Sequence, residues 1–349
     1  MQNPRVATVS QLSDFDEIID VRSPAEYADD HIPGAISAPV LDDEQRAEVG
    51  TLYVQISPFL AKKRGAALIA RNIADHLENI FKDKPKQWKP LVYCWRGGQR
   101  SGAMAHILAQ VGWSTGRLQG GYKNYRRQVL ADLDTLPETL QFRVVCGPTG
   151  SGKSRLLRVL HEQGAQVLDL EALAQHRGSL LGNLPDEPQP SQKMFESRLW
   201  DALRNFDAQR PVFVEAESKK IGLINTPEAL LKKMRASDCL LIEAPVAARV
   251  QLLMEDYAHF LADPALLVQR LTPLLPLHGR QVLDHWQQLA EQGNWTELVE
   301  KLLIQHYDPA YLRSTGHNFT RLAEAQPLHL ASLDNDALTA AVSTLLHPA

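Results

Sequence analysis

Phe142-Arg143-Val144-Val145-Cys146 runs straight into Gly147-Pro148-Thr149-Gly150-Ser151-Gly152-Lys153-Ser154, and this junction decides how the second half of the chain folds. The β-branched run reads as a buried strand. The eight residues after it fit G-x-x-x-x-G-K-[ST] at every fixed position, and helical sequence over 155–163 follows. Glycines let backbone N–H groups turn inward around phosphate oxygens, and the next helix adds its positive N-terminal end. Lys153 supplies a point charge and Ser154 a hydroxyl able to ligate Mg²⁺. The expected phosphate-binding residues are therefore Gly147, Thr149, Gly150, Ser151, Gly152, Lys153 and Ser154. Such a cradle specifies a di- or triphosphate and says much less about the molecule that carries it.

Working outward, apolar runs at 166–170, 211–215, 239–244 and 327–331 read as further strands, each followed by helix-like sequence. A parallel sheet with helical crossovers is expected over 140–349. The Leu/Gln-rich stretch 246–312 is too long for a plain crossover and reads as a helical insertion or lid, with Trp286 and Trp295 packing inside it and His306-Tyr307-Asp308-Pro309 ending it. Acidic candidates stand at strand ends, where ligands gather in open α/β sheets. Asp169 and Glu171 follow one strand; Glu215 and Glu217 follow another and are candidates to position a metal or a water. Their plainer roles are a helix N-terminal acid and a strand-end surface pair. Pro185-Asp186-Glu187-Pro188-Gln189-Pro190 reads as an exposed loop.

The first half repeats the α/β pattern, with strands at 17–21 and 90–94 and helices at 65–81 and 101–111. Leu-Pro-Glu-Thr within 132–141 interrupts the periodicity, so the domains are expected at 1–133 and 140–349. Leu91-Val92-Tyr93-Cys94 is a strand ending in cysteine, followed by Trp95-Arg96-Gly97-Gly98-Gln99-Arg100-Ser101 and then a helix. A thiol at a strand-to-helix turn, beside backbone amides and two arginines, is stabilised as the thiolate. Cys94 is thus the candidate nucleophile, and Arg96, Gly97, Gly98, Gln99, Arg100 and Ser101 form the expected oxyanion loop. Cys146 and Cys239 lie within apolar strands and read as inert core thiols; no disulfide framework or metal-ligand cluster is suggested.

Asp20-Val21-Arg22, Glu26-Tyr27 and His31-Ile32-Pro33-Gly34-Ala35, in that order before the cysteine loop, resemble the rhodanese family over residues 2–133. Asp20, Arg22 and His31 are expected to support the fold. Many sulfur-carrying rhodaneses resemble C-x₄-R, whereas Cys94 to Arg100 is C-x₅-R; the longer loop is expected to hold a phosphate-bearing donor with Arg96 and Arg100 on its oxygens. The order rhodanese first and P-loop second, with Cys-Trp-Arg-Gly-Gly-Gln-Arg-Ser, Asp169-Leu170-Glu171, His176-Arg177-Gly178-Ser179 and Glu215-Ala216-Glu217-Ser218, resembles the tRNA 2-selenouridine synthase family across nearly the whole chain. The resemblance implies exchange of sulfur for selenium in wobble 2-thiouridine of tRNA, with selenophosphate as donor and a prior S-geranylation from geranyl diphosphate. It implies no tightly bound cofactor.

A net charge of −4, from 37 Lys and Arg against 41 Asp and Glu, excludes a bulk-basic nucleic-acid binder, so RNA must meet a local basic surface. Tyr122, Lys123, Arg126 and Arg127 interleave aromatic and cationic groups suited to bases and phosphates, and Arg177, Lys219 and Lys220 are similar basic elements. Hydrophobic residues at 44% and charged ones at 22% are globular values. With no apolar stretch of spanning length and no hydrophobic leader, a cytoplasmic protein is expected. Two other classes compete: an ATP-dependent RNA thiolation enzyme using a Cys94 persulfide, and a non-catalytic tRNA-binding protein. A phosphatase built on C-x₅-R would leave the phosphate cradle unexplained.

Overall fold

The computed structural model describes residues 3–185 and 187–347, the side chains of 314–317 excepted. Asp186, within the expected exposed loop, lies outside them. The chain forms two compact units, one of Met1–Asp132 with Ser191–Asp201, the other of Leu133–Pro190 with Ala202–Ala349.

The first unit is built on β1 (Arg5–Ala7), β2 (Glu17–Asp20), β3 (Ile36–Ser37), β4 (Pro90–Tyr93) and β5 (Gly116–Leu118). They pair in parallel in the order β1-β5-β4-β2-β3. β4 is central and wholly buried, which is why it reads as a continuous apolar run rather than an alternating one. Ile19, Val92, Met104, Leu108 and Trp88 share one core. β1, β3 and β5 are only two or three residues long and carry no apolar run for the sequence reading to find. The helix Pro58–Asn79 begins well before residue 65, because Pro58 suits a first turn and the Ser57 hydroxyl accepts from the Leu60 amide at 3.4 Å.

Two readings of the boundary are corrected. Residues 132–139 are not an interruption: the helix Gly121–Thr139 runs through them, with Pro137 in its final stretch. Val129, Leu133 and Pro137 are all buried and continue its apolar stripe. Nor does 140–349 form one body, since Ser191–Asp201, in the helix Gln192–Arg204, packs within the first unit. There Trp200 meets the Tyr125 ring edge-on at 5.4 Å, its indole N–H donates to Asp132 at 2.7 Å, and Lys193 pairs with Asp29 at 2.6 Å.

The second unit holds β6 (Phe142–Cys146), β7 (Gln166–Leu168), β8 (Val212–Glu215), the hairpin β9 (Lys220–Ile221) and β10 (Ile224–Asn225), then β11 (Asp238–Glu243) and β12 (Gln326–His329). Its parallel sheet runs β12-β11-β6-β8-β7 with β6 in the centre. Each unit thus presents its candidate loop at the carboxyl end of its middle strand, where open α/β sheets bind ligands. From Val246–Asp256 to Asp308–Asn318 the chain is a run of helices around Phe260, Leu267, Trp286, Leu298 and Leu302. The run does not end at His306-Tyr307-Asp308-Pro309. A π-turn over Leu303–Tyr307 leads into another helix, where Pro309 occupies a first-turn position that needs no N–H partner. Among the described residues no helix is long and apolar enough to cross a membrane.

Candidate active sites

Cys94 sits at the end of β4 and is only 3% exposed. Its sulfur lies 3.2 Å from the Ser101 hydroxyl, at the start of the helix Gln99–Val111. The loop is stitched to the start of the next helix by Tyr122 and Lys123 amides donating to the Cys94 and Trp95 carbonyls at 2.8 and 3.0 Å. That closeness demands glycine at 121: its φ is +58°, and a Cβ there would lie 2.2 Å from the Cys94 carbonyl oxygen.

The two loop arginines part company. Arg100 is committed to Glu26 at 2.6 and 3.3 Å rather than facing a donor beside Cys94. Burial pushes the Glu26 carboxyl up, but the Arg100 guanidinium outweighs it and holds Glu26 below the ordinary range. Arg96 is exposed and lines an open pocket with Lys123 and Arg127. Asp20 and Arg22 form a buried pair at 2.6 Å, Arg22 also donates to the Asp30 carbonyl at 2.5 Å, and His31 stacks on Tyr27 at 3.8 Å. All three are therefore built into the fold, as expected from their motifs.

Of the proposed RNA-contacting residues, Tyr122 is only 4% exposed, its hydroxyl donating to Asp30 at 2.7 Å and its face covering Arg22 at 4.0 Å. It cannot stack on a base. Arg126 is paired with Glu196. Lys123 and Arg127 remain exposed, and Trp95, which the sequence reading passed over, is 40% exposed. Only its position in the nucleophile loop signalled it.

In the second unit the phosphate loop closes on itself: Lys153 donates to the Gly147 carbonyl at 2.9 Å. Gly150, with φ of +75°, leaves room for Leu253, whose Cδ1 would lie 2.8 Å from a Cβ. Ser154 donates to Glu171 at 2.8 Å, and Glu215 accepts from the Glu171 amide at 2.7 Å. Burial first, then neighbouring carboxylates, pushes Glu215 well up, while burial and the Glu171 charge bring Glu217 to about 8. Burial also raises Glu171, against the pull of Lys153. Asp169 takes the plainer role, capping the helix Leu170–Ala174 by accepting from the Ala172 amide at 2.8 Å.

Residues 149–155, Glu171, Arg177, Glu217, Tyr257 and Tyr307 line one cavity of about 430 Å³. Arg177 lies over the Tyr257 ring at 4.8 Å and donates to the Asp256 carbonyl. Lys219 and Lys220 are exposed and do not line this cavity. The helical insertion supplies one wall, held by Arg249, which donates to the Thr149 carbonyl at 2.7 and 3.0 Å and to Asp308 at 2.6 and 3.0 Å. No motif marked Arg249, whereas Asp308 stood in the segment 306–309 read as the end of the insertion. A second, apolar cavity of about 60 Å³ shares Thr149, Ser179, Leu253, Tyr257 and Tyr307 with the first and runs on among Phe260, Leu267, Trp295, Leu298, Val299 and Leu302.

Two family models match this chain: the rhodanese-like domain over residues 6–128 and the tRNA 2-selenouridine synthase AAA domain over 140–270. A tRNA 2-selenouridine synthase of Nitrosomonas europaea is 32% identical, covering 85% of this chain and 88% of its own. Those of Aeromonas salmonicida (32% identical, 87% and 89% covered) and Alcanivorax borkumensis (32%, 84% and 88%) are equally similar. A cysteine loop on a rhodanese sheet and a P-loop beside a helical insertion, matched to such relatives over most of both lengths, place the chain in the tRNA 2-selenouridine synthase family.

Proposed function

We propose that this enzyme converts wobble 2-thiouridine of tRNA to 2-selenouridine in two steps divided between its units. In the second unit geranyl diphosphate places its diphosphate in the cradle of 147–154. The thiocarbonyl sulfur attacks C1 of the prenyl chain; the S–C1 bond forms, the C1–O bond breaks, pyrophosphate departs and the N3 proton is released. Lys153 and the inward-facing amides stabilise the charge that develops on the leaving group. Ser154 and Glu171, hard oxygen donors in the same cavity, suit Mg²⁺, which would neutralise further diphosphate charge.

In the first unit, beside Cys94, the selenium of selenophosphate adds at C2 of the geranylated base as the C2–S bond breaks and geranylthiolate leaves; water then cleaves the P–Se bond, releasing phosphate and leaving selenium on C2. S-alkylation thus prepares a leaving group that a thiocarbonyl does not offer. The observation carrying this reading is the apolar cavity that continues from the phosphate cradle. A nucleoside triphosphate needs no such extension, whereas a prenyl diphosphate needs it beside its phosphates.

Mass spectrometry of nucleosides from 2-thiouridine tRNA, incubated with geranyl diphosphate and selenophosphate, tests the division. Cys94→Ala should accumulate the geranylated nucleoside without the seleno-nucleoside, and Lys153→Ala should lose both. If Lys153→Ala geranylated normally, the assignment of the cradle would be wrong.

A further inference from the structure

Beside the cysteine loop, within the first unit, Arg96, Lys123 and Arg127 line one open pocket of about 620 Å³ with Gln119, Gly120 and Asn124. No carboxylate lines it, and none of the three cations has an ion-pair partner among the described residues. Three exposed cations around one open pocket with no carboxylate in its lining make a local positive surface suited to an anion. Their placement is not loose. The Lys123 amide donates to the Trp95 carbonyl at 3.0 Å, which ties the rim of this pocket to the nucleophile loop.

Trp95 adds a second, independent observation. Its exposed indole lies 5.1 Å from the buried Tyr122 ring, inclined by 30°, and Tyr122 is backed by Arg22 at 4.0 Å. An exposed ring held on a buried one offers a flat, preorganised face. Every base can stack on such a face, whatever its identity. A base whose C2 must reach a buried sulfur also has to be splayed from its strand, and this requires single-stranded RNA.

We propose that this pocket is a backbone-phosphate site for single-stranded RNA: Arg96, Lys123 and Arg127 hold the phosphate flanking the nucleoside presented to Cys94, and Trp95 stacks on the adjacent base. The inference rests on the reading of tRNA as substrate. A free monophosphate donor shares the phosphate chemistry but is far smaller than the pocket and has no ring to meet Trp95.

The test measures the affinity of the full-length protein for a labelled anticodon stem–loop carrying 2-thiouridine, over a series of salt concentrations. Lys123→Gln with Arg127→Gln should weaken binding at least about tenfold near 0.1 M salt and make the slope of log affinity against log salt shallower by roughly 0.7, the value for one single-strand phosphate contact. Lys123→Arg with Arg127→Lys should keep the slope. Trp95→Ala should cost roughly tenfold and Trp95→Phe much less. Unchanged melting and unchanged pyrophosphate binding of each variant guard against misfolding. An unchanged slope in the Gln variant, with weakened competition by inorganic phosphate, would mean that the pocket serves the donor and would overturn the proposal. Nucleosides from the wild type are read in the same samples. Seleno-nucleoside formation with an unchanged slope defeats this inference alone, whereas bound RNA without any product defeats the functional reading.

Discussion

Filling the apolar cavity should make the enzyme more stable and less able to use its prenyl donor. Val299 lines that cavity, whose volume is about 60 Å³. Replacing it with phenylalanine adds about 50 Å³ of side chain, close to the space available, and at ~24 cal/mol per Å³ of cavity removed the gain is at most ~1.2 kcal/mol. Overpacking will take back part of this. The terminal isoprene unit of a geranyl chain carries five carbons, each worth ~0.8 kcal/mol when buried. If about half of that burial is denied, ~2 kcal/mol is lost, a rise in KM for geranyl diphosphate of roughly 30-fold. The cradle is untouched, so pyrophosphate should bind Val299→Phe as it binds the wild type. Thermal melting, pyrophosphate titration and the rate of S-geranylation at varied donor concentration measure the three quantities. A variant that melts higher yet uses geranyl diphosphate with an unaltered KM would refute the reasoning, because the cavity would be filled and the chain would lie elsewhere.

Arg249→Met should leave Asp308 and the Thr149 carbonyl unpaired. Removing one partner of a buried pair costs ~3–5 kcal/mol, and the partial exposure of Asp308 lowers the expectation to ~2 kcal/mol. A double-mutant cycle with Asp308→Ala, read by denaturant unfolding, should give a coupling above ~1 kcal/mol; a value near zero would show that the insertion is not anchored through this pair. Gly121→Ala forces a Cβ against the Cys94 carbonyl and holds alanine in a left-handed conformation costing ~1–2 kcal/mol before any clash. Selenation should fall at least tenfold while pyrophosphate affinity in the second unit is unaltered; normal selenation by this variant would show that the loop tolerates displacement.

Both reactive loops were readable because each is a contiguous strand–turn–helix. Val144-Val145-Cys146 into Gly147 to Ser154, and Val92-Tyr93-Cys94 into Gln99 to Ser101, need only neighbouring residues to form. Glycines, a terminal cysteine and a first-turn lysine leave a local imprint, and residues separated by a few positions along the backbone share it. The motifs Asp20-Val21-Arg22 and His31-Ile32-Pro33-Gly34-Ala35 were legible for the same reason, as was the helical character of 246–312 from its apolar spacing.

What the chain alone could not disclose is which distant groups meet. Glu26 claims Arg100 from 74 positions away, Asp30 claims Tyr122 from 92, and Arg249 reaches Thr149 from 100. Each of these pairings converts an apparent ligand-binding side chain into a fastening, or an anonymous residue into an anchor. The apolar cavity is likewise a gap left between helices, and no residue type encodes a gap. Sequence by itself determined the two loop motifs, a cysteine at a strand end and a G-x-x-x-x-G-K-S turn, because short-range backbone geometry specifies them. Tertiary packing alone decided which cations stay without an ion-pair partner among the described residues and where an apolar cavity opens, because burial and pairing depend on surfaces brought together only when the chain has folded.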